Sequence, residues 1–187
     1  MKSVFWNNLR EDIKVFLYQE FAESPSSKST LGSHIKLLFV QGFVAVLVYR
    51  LGVLLYSFRT PFLFPLKVIY FFIVKLVEVT TSIMLPVTVK AGKGLYVGHF
   101  GYTIFNSHCE VGDYCQIGEG VILGSKGLGT EGAPRLGNNV FVGAGAKILG
   151  PIKIGDNVVI GANSVVLNDV PDNVVVAGVP ARIVRKR

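Results

Sequence analysis

The sequence predicts a mainly β protein: a parallel β-helix fills its C-terminal half and a hydrophobic α-helical region precedes it. Two observations support this prediction. An apolar residue recurs at every sixth position of the C-terminal half, and glycine commonly follows it. The first 86 residues lack this period and carry apolar residues at helical spacing or in long runs. We therefore divide the chain into a helical region, residues 1–86, and a coil domain, residues 87–187.

Composition limits the possible partners and the cellular location. The chain has 187 residues, half of them hydrophobic, with a formal charge of +7, so an anionic partner such as a phosphate-bearing cofactor or a lipid surface is expected. No stretch alternates basic and aromatic residues, which disfavours nucleic acid. The N-terminus does not resemble a secretory signal. We expect a cytoplasmic protein in which Cys109 and Cys115 are reduced, buried thiols.

Three apolar segments make up the helical region. Phe5 to Phe21 has helical spacing, and the segments 37–58 and 62–79 are almost entirely apolar. A membrane span over 37–58 is disfavoured, because Gln41 and Arg50 would lie in the hydrocarbon. Two alternatives remain: the helices bury their apolar faces in an oligomer, or they lie against the inner face of the cell membrane. The cations that would face lipid recur every eight or nine residues: Arg50, Arg59, Lys67 and Lys75.

The six-residue period explains why the second half must form a coil. Each repeat supplies one short strand and one bend, which is too little to enclose a core, so successive coils must stack their apolar interiors. The period does not determine the handedness of the coil. The inward series, none of whose members is polar, consists of Phe105, Val111, Ile117 and Leu123, followed by Leu136, Val142, Ile148, Ile154, Ile160 and Val166.

One interruption separates the two series. Leu136 follows Leu123 by 13 positions, where the six-residue period requires 12, and the segment 125–135 has no inward apolar pattern. We expect it to protrude from the coil as a loop, and such excursions commonly form a binding face.

Several motifs carry a resemblance to a known family: VGHFGYTI at 97–104, APRLGNNVFVGAGAKILG at 133–150, IGANSVVLNDVP at 160–171, AGVPARIV at 177–184 and VQGFVAVLVYRLG at 40–52. Together they resemble the serine acetyltransferase-like branch of hexapeptide-repeat acyltransferases, including relatives that acetylate polysaccharide or capsule sugars. The resemblance implies a left-handed coil and a homotrimer or dimer of trimers. It also implies acetyl-CoA lying along the coil between neighbouring subunits.

The resemblance places the catalytic base at His99, inside the GHFG motif. A neutral imidazole can take the proton from an acceptor hydroxyl as the oxygen attacks a thioester carbonyl. The acceptor pocket is expected to include Phe100, Tyr102, Asn106 and Glu131.

Cofactor contacts are also expected from the resemblance. Small residues at Gly143, Ala144 and Ala162 would offer backbone contacts to the pantetheine arm of acetyl-CoA, and basic side chains would meet its phosphates. We expect no metal, because His34, His99 and His108 are scattered. The basic candidates are Lys147, Arg182 and Arg185, with Lys186 and Arg187 next to them.

The acceptor is predicted from departures within the resemblance. This chain has Gly98 where the family carries an aspartate before the histidine, and only the neighbourhood of Met84 where a second aspartate pairs with the base. It has Ala133 where a second histidine precedes the proline of the long loop. We therefore expect acetylation of a sugar or polysaccharide precursor. The alternatives are serine O-acetylation and a non-catalytic trimeric scaffold that binds a membrane partner.

Overall fold

The computed structural model describes residues 2–21, 31–127 and 132–187, in which helices are followed by a coil of short strands. This arrangement confirms the predicted mainly β fold with a helical N-terminus. In the described ranges the helices are α1 (Lys2–Phe21), α2 (Leu31–Leu37), α3 (Gln41–Ser57), a 3-10 turn (Pro61–Leu63) and α4 (Phe64–Thr81).

Helices α1 and α3 pack against the first turn of the coil. Phe16 of α1 meets Phe43 of α3 edge to face, with ring centroids 5.4 Å apart, and it also contacts the ring of Tyr96 on the coil. Arg50 of α3 is only 3% exposed and forms an ion pair with Asp12 of α1. The expectation that Arg50 faces solvent or lipid is therefore wrong, because a buried carboxylate holds its guanidinium inside the molecule.

Helix α4 leaves an apolar surface uncovered. Thr81 is its only buried residue, whereas Phe64, Phe72 and Val79 are 68%, 67% and 78% exposed. Helices that are apolar all round are normally covered by protein or lipid. Among the described residues, no single helix is both long enough and apolar enough to span a membrane. Helices α2 and α3 reach that length and apolarity only when they are combined, and they meet at an angle of 84°.

The strands form three sheets that wind as a triangular coil, parallel except for a final hairpin. Sheet A has the order β1-β4-β7-β10-β13, sheet B the order β2-β5-β8-β11, and sheet C the order β3-β6-β9-β12-β14-β15. Only β14 and β15 are antiparallel among these paired strands. The bounds are β1 (Ile83–Met84), β2 (Lys90–Ala91), β3 (Tyr96–Val97), β4 (Thr103–Phe105), β5 (Glu110–Val111), β6 (Gln116–Ile117), β7 (Ile122–Gly124), β8 (Arg135–Leu136), β9 (Phe141–Val142), β10 (Lys147–Leu149), β11 (Lys153–Ile154), β12 (Val159–Ile160), β13 (Val165–Val166), β14 (Val174–Gly178) and β15 (Ala181–Lys186).

The interior of the coil contains the six-residue apolar series. Val97, Phe105, Ile117 and Leu123 are completely buried, and each lies on a different strand. Backbone hydrogen bonds join successive coils, as in the bond from the Gly98 amide to the Ile117 carbonyl at 2.8 Å. Burial of these side chains supplies the hydrophobic stabilisation that one repeat alone lacks.

Three edges separate the sheets, and the chain crosses them in a fixed order. It passes from sheet A to B at the A/B edge, from B to C at the B/C edge, and from C to A at the C/A edge. The loop 125–135 leaves at the A/B edge between β7 and β8, and its residues 128–131 lie outside the described ranges. The coil begins with β1 at Ile83, before the predicted boundary between residues 86 and 87. The division of the chain into two domains stays a prediction.

Candidate active site

The corner that carries His99 is longer than the corner below it. Phe105 follows Val97 by eight positions, whereas Leu123 follows Ile117 by six in the next coil. The register makes the difference explicit, because Val97 pairs with Ile117 and Phe105 pairs with Leu123. The two additional residues must therefore project from the C/A edge. We call residues 98–102 the His99 corner.

Hydrogen bonds fix both ends of the His99 corner. The Gly98 amide donates to the Ile117 carbonyl, and the Gly101 amide donates to the Thr81 carbonyl at 3.3 Å. The hydroxyl of Thr103 donates to the Gly101 carbonyl at 2.8 Å. Gly101 has a φ of 138°, a backbone conformation that residues with a side chain rarely adopt. The backbone is therefore held while the side chains of the corner stay accessible.

His99 and its neighbours are exposed on the surface of the single chain. His99 itself is exposed, and Phe100 and Tyr102 are 64% and 69% exposed. The structure therefore keeps these three predicted residues together, with the imidazole pointing neither into the coil nor into a salt bridge within the described chain. An exposed imidazole is available to a substrate hydroxyl.

Small residues line the C/A edge below the corner. A Cβ on Gly118 would lie 2.8 Å from the Ala144 amide nitrogen, and one on Gly143 would lie 2.6 Å from the Ala162 amide nitrogen. Both contacts are too short for a side chain, so glycine is required where the coils stack. The predicted cofactor residues Gly143, Ala144 and Ala162 thus lie on the same edge as His99. Ala162 is exposed and Ala144 is half-buried, so their backbone suits an extended ligand that carries amide groups. Gly143 is buried against the next coil, and its amide already donates to the Ile160 carbonyl.

The predicted basic residues are distributed unevenly along this edge. The ammonium of Lys147 donates to the carbonyls of Gly120 (3.2 Å) and Gly145 (2.5 Å), so it lies at the C/A edge. Arg182 pairs with Ala177 near the same edge, whereas Arg185 pairs with Val175 farther across sheet C. Lys147 and Arg182 are therefore the cations nearer to the strip of small residues.

Glu119 is a site residue that the sequence analysis did not identify. Its Oε2 atom lies 3.7 Å from the position that a Cβ on Gly98 would occupy, and its Cβ lies 3.5 Å from the corresponding position on Gly101. The side chain is exposed. A carboxylate from the next coil therefore lies beside the His99 corner. The coil spacing between residues 99 and 119 is the signal that would have found it.

Other predicted residues lie elsewhere in the chain. Asn106 does not flank His99, because β4 carries the chain across sheet A to the A/B edge, where the Asn106 side chain accepts a hydrogen bond from the His108 amide. The loop residue Ala133 belongs to the same A/B edge. Glu131 lies outside the described residues. Within one chain, the loop and His99 therefore lie at different edges of the coil. The substrate roles of Asn106 and Glu131 stay predictions.

Two other features of the described chain do not form a reactive centre. A groove of about 740 Å³ lies between α1 and sheet C, but it is lined by residues such as Lys14, Tyr18 and Phe141 and not by His99. Burial raises the pKa of Cys109 to about 12 and that of Cys115 to about 11, so neither thiol is a nucleophile at neutral pH. No group of three or more His, Cys, Asp or Glu side chains suited to a metal occurs in the described ranges.

Comparison with known proteins identifies similar chains. Residues 133–168 match the model for the bacterial transferase hexapeptide (six repeats). The serine acetyltransferase of Synechocystis sp. is 39% identical over 182 residues, covering 95% of this chain and 67% of the relative. That of Synechococcus elongatus is 38% identical over 165 residues, covering 88% of this chain, which spans only 64% of that relative's length.

A solved structure extends the similarity to the fold. The crystal structure of serine acetyltransferase in complex with coenzyme A from Brucella abortus strain S19 has a TM-score of 0.80 and 30% identity, covering 98% of this chain and 69% of that chain. Because superposition preserves handedness, the match confirms the left-handed coil.

The same comparisons correct the predicted acceptor. The curated relatives at 35% to 39% identity are serine acetyltransferases, so the expectation of a sugar or polysaccharide acceptor is wrong, and the resemblance to polysaccharide O-acetyltransferases is not supported. Ala133 in place of the family's histidine does not indicate another acceptor, because one side chain on a loop does not define the family to which a whole coil belongs.

Proposed function

The chain belongs to the serine acetyltransferase family of hexapeptide-repeat transferases, and on this premise we propose that it transfers the acetyl group of acetyl-CoA to the hydroxyl of serine, with His99 as general base. One observation supports the proposal above all others. The exposed imidazole lies at the end of the C/A edge, and the backbone of Ala144 and Ala162 is accessible farther along that edge. The base and the proposed path of the cofactor therefore share one edge.

The proposed reaction requires one proton acceptor and a positioned thioester. His99 takes the proton from the serine hydroxyl while that oxygen bonds to the thioester carbonyl carbon. Backbone amides at the glycine-rich edge stabilise the negative oxygen of the tetrahedral intermediate. The C–S bond then breaks, and the imidazolium returns its proton to the leaving thiolate. The products are O-acetylserine and coenzyme A.

Glu119 supports serine as the acceptor. At neutral pH serine carries an ammonium group, and a carboxylate is the side chain that pairs with it most strongly. Glu119 lies beside the His99 corner, where its charge would hold that ammonium close to the base. We assign to Glu119 this binding role, which a neutral side chain of the same shape would not fill.

We propose that the complete site forms between the subunits of a homotrimer. The His99 corner lies at the C/A edge, whereas loop 125–135 leaves at the A/B edge of the same chain. Two edges of one prism cannot meet, but the A/B edge of one subunit can pack beside the C/A edge of its neighbour. Such packing would bring the loop to the base and leave acetyl-CoA in the seam between them.

The apolar surface of α4 supports a further contact in the assembly. Its exposed side chains, including Phe72 and Leu76, need a cover of protein or lipid. We propose that a neighbouring subunit supplies it, as in a dimer of trimers, and that the enzyme acts in the cytoplasm. Contact with the inner membrane face stays the alternative; retention of the protein by vesicles of anionic lipid would favour it.

Release of coenzyme A by the full chain, with and without L-serine, tests the proposed function. We expect release that depends on serine and saturates with it. A non-catalytic scaffold would neither release coenzyme A nor bind acetyl-CoA in calorimetry, and that result would overturn the proposal.

A further inference from the structure

The His99 corner has an unusual neighbour on its upper side. The next coil lies below this corner, and its Gly120 amide donates to the Gly101 carbonyl. Above it there is no coil, because β3 is the end strand of sheet C. The N-terminal turn of α3 and the C-terminal end of α4 occupy that place instead.

Gly42 makes the contact from α3. This buried residue is the second of the helix, and a Cβ built on it would collide with the Val97 carbonyl oxygen and lie 2.5 Å from the Gly98 carbonyl oxygen. Side chains do not tolerate contacts of this kind with backbone atoms. The two peptide groups that precede His99 therefore rest directly against the backbone of α3.

Helix α4 supports the other end of the same corner. Its last residue, Thr81, accepts a hydrogen bond from the Gly101 amide at 3.3 Å, and Ser82 accepts one from the Thr103 amide at 3.1 Å. Ser82 ends α4 in the left-handed conformation, with a φ of 57°. The two helices thus meet the corner on both sides of His99.

Helix α3 has little freedom to yield at this contact. The hydroxyl of Tyr49 donates to the Val89 carbonyl at 2.7 Å and accepts from the Ala91 amide. Arg50 donates to the Ala91 carbonyl at 2.8 Å while paired with Asp12. These bonds attach α3 to the first coil about two turns beyond Gly42. With α3 held in this way, a side chain added at position 42 would press on the Val97 and Gly98 carbonyls and shift the backbone that leads into His99.

We propose that Gly42 is a positioning residue for His99: the close approach of its backbone determines where the peptides before the base lie, and hence where the imidazole meets the acceptor. This inference rests on the proposed function, in which His99 is the base. The residues proposed to bind the cofactor, Gly143, Ala144 and Ala162, lie on later coils and do not depend on this contact. The base and the cofactor site should therefore respond separately to changes at position 42.

Gly42→Ala tests the inference, with Gly52→Ala as the matched control. Both glycines are buried in α3, but a Cβ on Gly52 would meet side chains, Tyr70 and Val87 Cγ1 at 2.6 Å, and not the corner. We expect Gly42→Ala to lower kcat about 10- to 100-fold, since a displacement of about 1 Å has effects of that size. Its KM for acetyl-CoA should stay within about twofold of the wild-type value. Gly52→Ala should lower Tm to a similar extent and keep kcat within about twofold.

A second pair of variants covers the case in which Gly42→Ala does not fold. Phe43→Leu shortens the side chain next to Gly42, and Phe16→Leu shortens its ring partner on α1; exchanges of this size usually leave a core folded. We expect kcat to fall several-fold in Phe43→Leu and to change by less than twofold in Phe16→Leu. Equal kcat losses within either pair, or kcat at the wild-type level in both Gly42→Ala and Phe43→Leu, would overturn the inference.

His99→Ala separates this inference from the proposed function. If that variant keeps the wild-type kcat, the assignment of the base is wrong. If it is inactive while Gly42→Ala turns over normally, only the positioning role of Gly42 is wrong.

Discussion

Arg50 and Asp12 form a buried ion pair that joins two helices to the coil. The guanidinium Nε atom lies 2.8 Å from one oxygen of Asp12, and an Nη atom lies 3.2 Å from the other. Asp12 is completely buried and also accepts the Leu95 amide at 2.9 Å. The pair therefore holds α1, α3 and the approach to strand β3 in one arrangement.

Removing the charge of Asp12 should destabilise the protein strongly. Asp12→Asn leaves the guanidinium buried without its counterion, and changes of this kind cost about 3 to 5 kcal/mol. Urea unfolding followed by circular dichroism measures the loss. The control is Glu11→Gln, which removes the partner of a partly exposed ion pair with Lys14 and should change stability by less than about 1 kcal/mol. Equal stability of the two variants would mean that the buried pair contributes nothing specific.

The Glu119 assignment predicts a defect that depends on the acceptor. Glu119→Gln keeps the shape of the side chain but loses the charge that pairs with the serine ammonium, so KM for serine should rise about 10- to 100-fold. Glycerate, which carries a hydroxyl in place of the ammonium, should be acetylated equally by wild type and variant. Steady-state kinetics with both acceptors provides the measurement. A loss of the same size with glycerate would indicate a structural role instead.

The C/A edge is expected to respond to a bulky, charged side chain. Ala162 is exposed, so Ala162→Glu should fold normally while its carboxylate obstructs the proposed path of acetyl-CoA. We expect KM for acetyl-CoA to rise at least about tenfold, with KM for serine and Tm little changed. Unchanged affinity for acetyl-CoA in calorimetry would place the cofactor on another edge.

Both thiols should be unreactive in the folded protein. With pKa values of about 12 for Cys109 and about 11 for Cys115, less than about one thiol in a thousand is ionised at pH 8. Ellman's reagent should therefore label neither cysteine until guanidinium unfolds the chain. Because burial raises both pKa values above the ordinary 9.0, unfolded thiols ionise first, and stability should fall as pH rises above about 9. Rapid labelling of the native protein at pH 8 would contradict the buried placement.

Local patterns in the sequence were sufficient to predict the coil but not its contacts with the helices. The apolar series from Phe105 onward requires stacked coils, because each repeat is too short to enclose a core. Arg50 was expected at the surface, since nothing in the sequence links it to Asp12, 38 residues away. The contact of Gly42 with Val97 is equally non-local. By contrast, the eight-residue spacing between Val97 and Phe105 is visible in the sequence and would have predicted the protruding His99 corner.

Predictions from resemblance also differed in outcome. The handedness of the coil and the family were correct, because they rest on motifs distributed over most of the chain. The acceptor was inferred mainly from Ala133, and that inference was wrong. Glu119 was missed because it lies one coil away from Gly98, and only the stacking of the coils brings its carboxylate to the corner.

The rate of coenzyme A release from acetyl-CoA and L-serine, compared between the wild-type protein and His99→Ala, tests the central claim most directly. The exposed imidazole contributes little to packing, so the variant should keep its circular dichroism spectrum, its oligomeric state and its affinity for acetyl-CoA. Its kcat should fall at least about 100-fold, the contribution expected of a general base. A well-folded His99→Ala protein that acetylates serine at the wild-type rate would contradict the account.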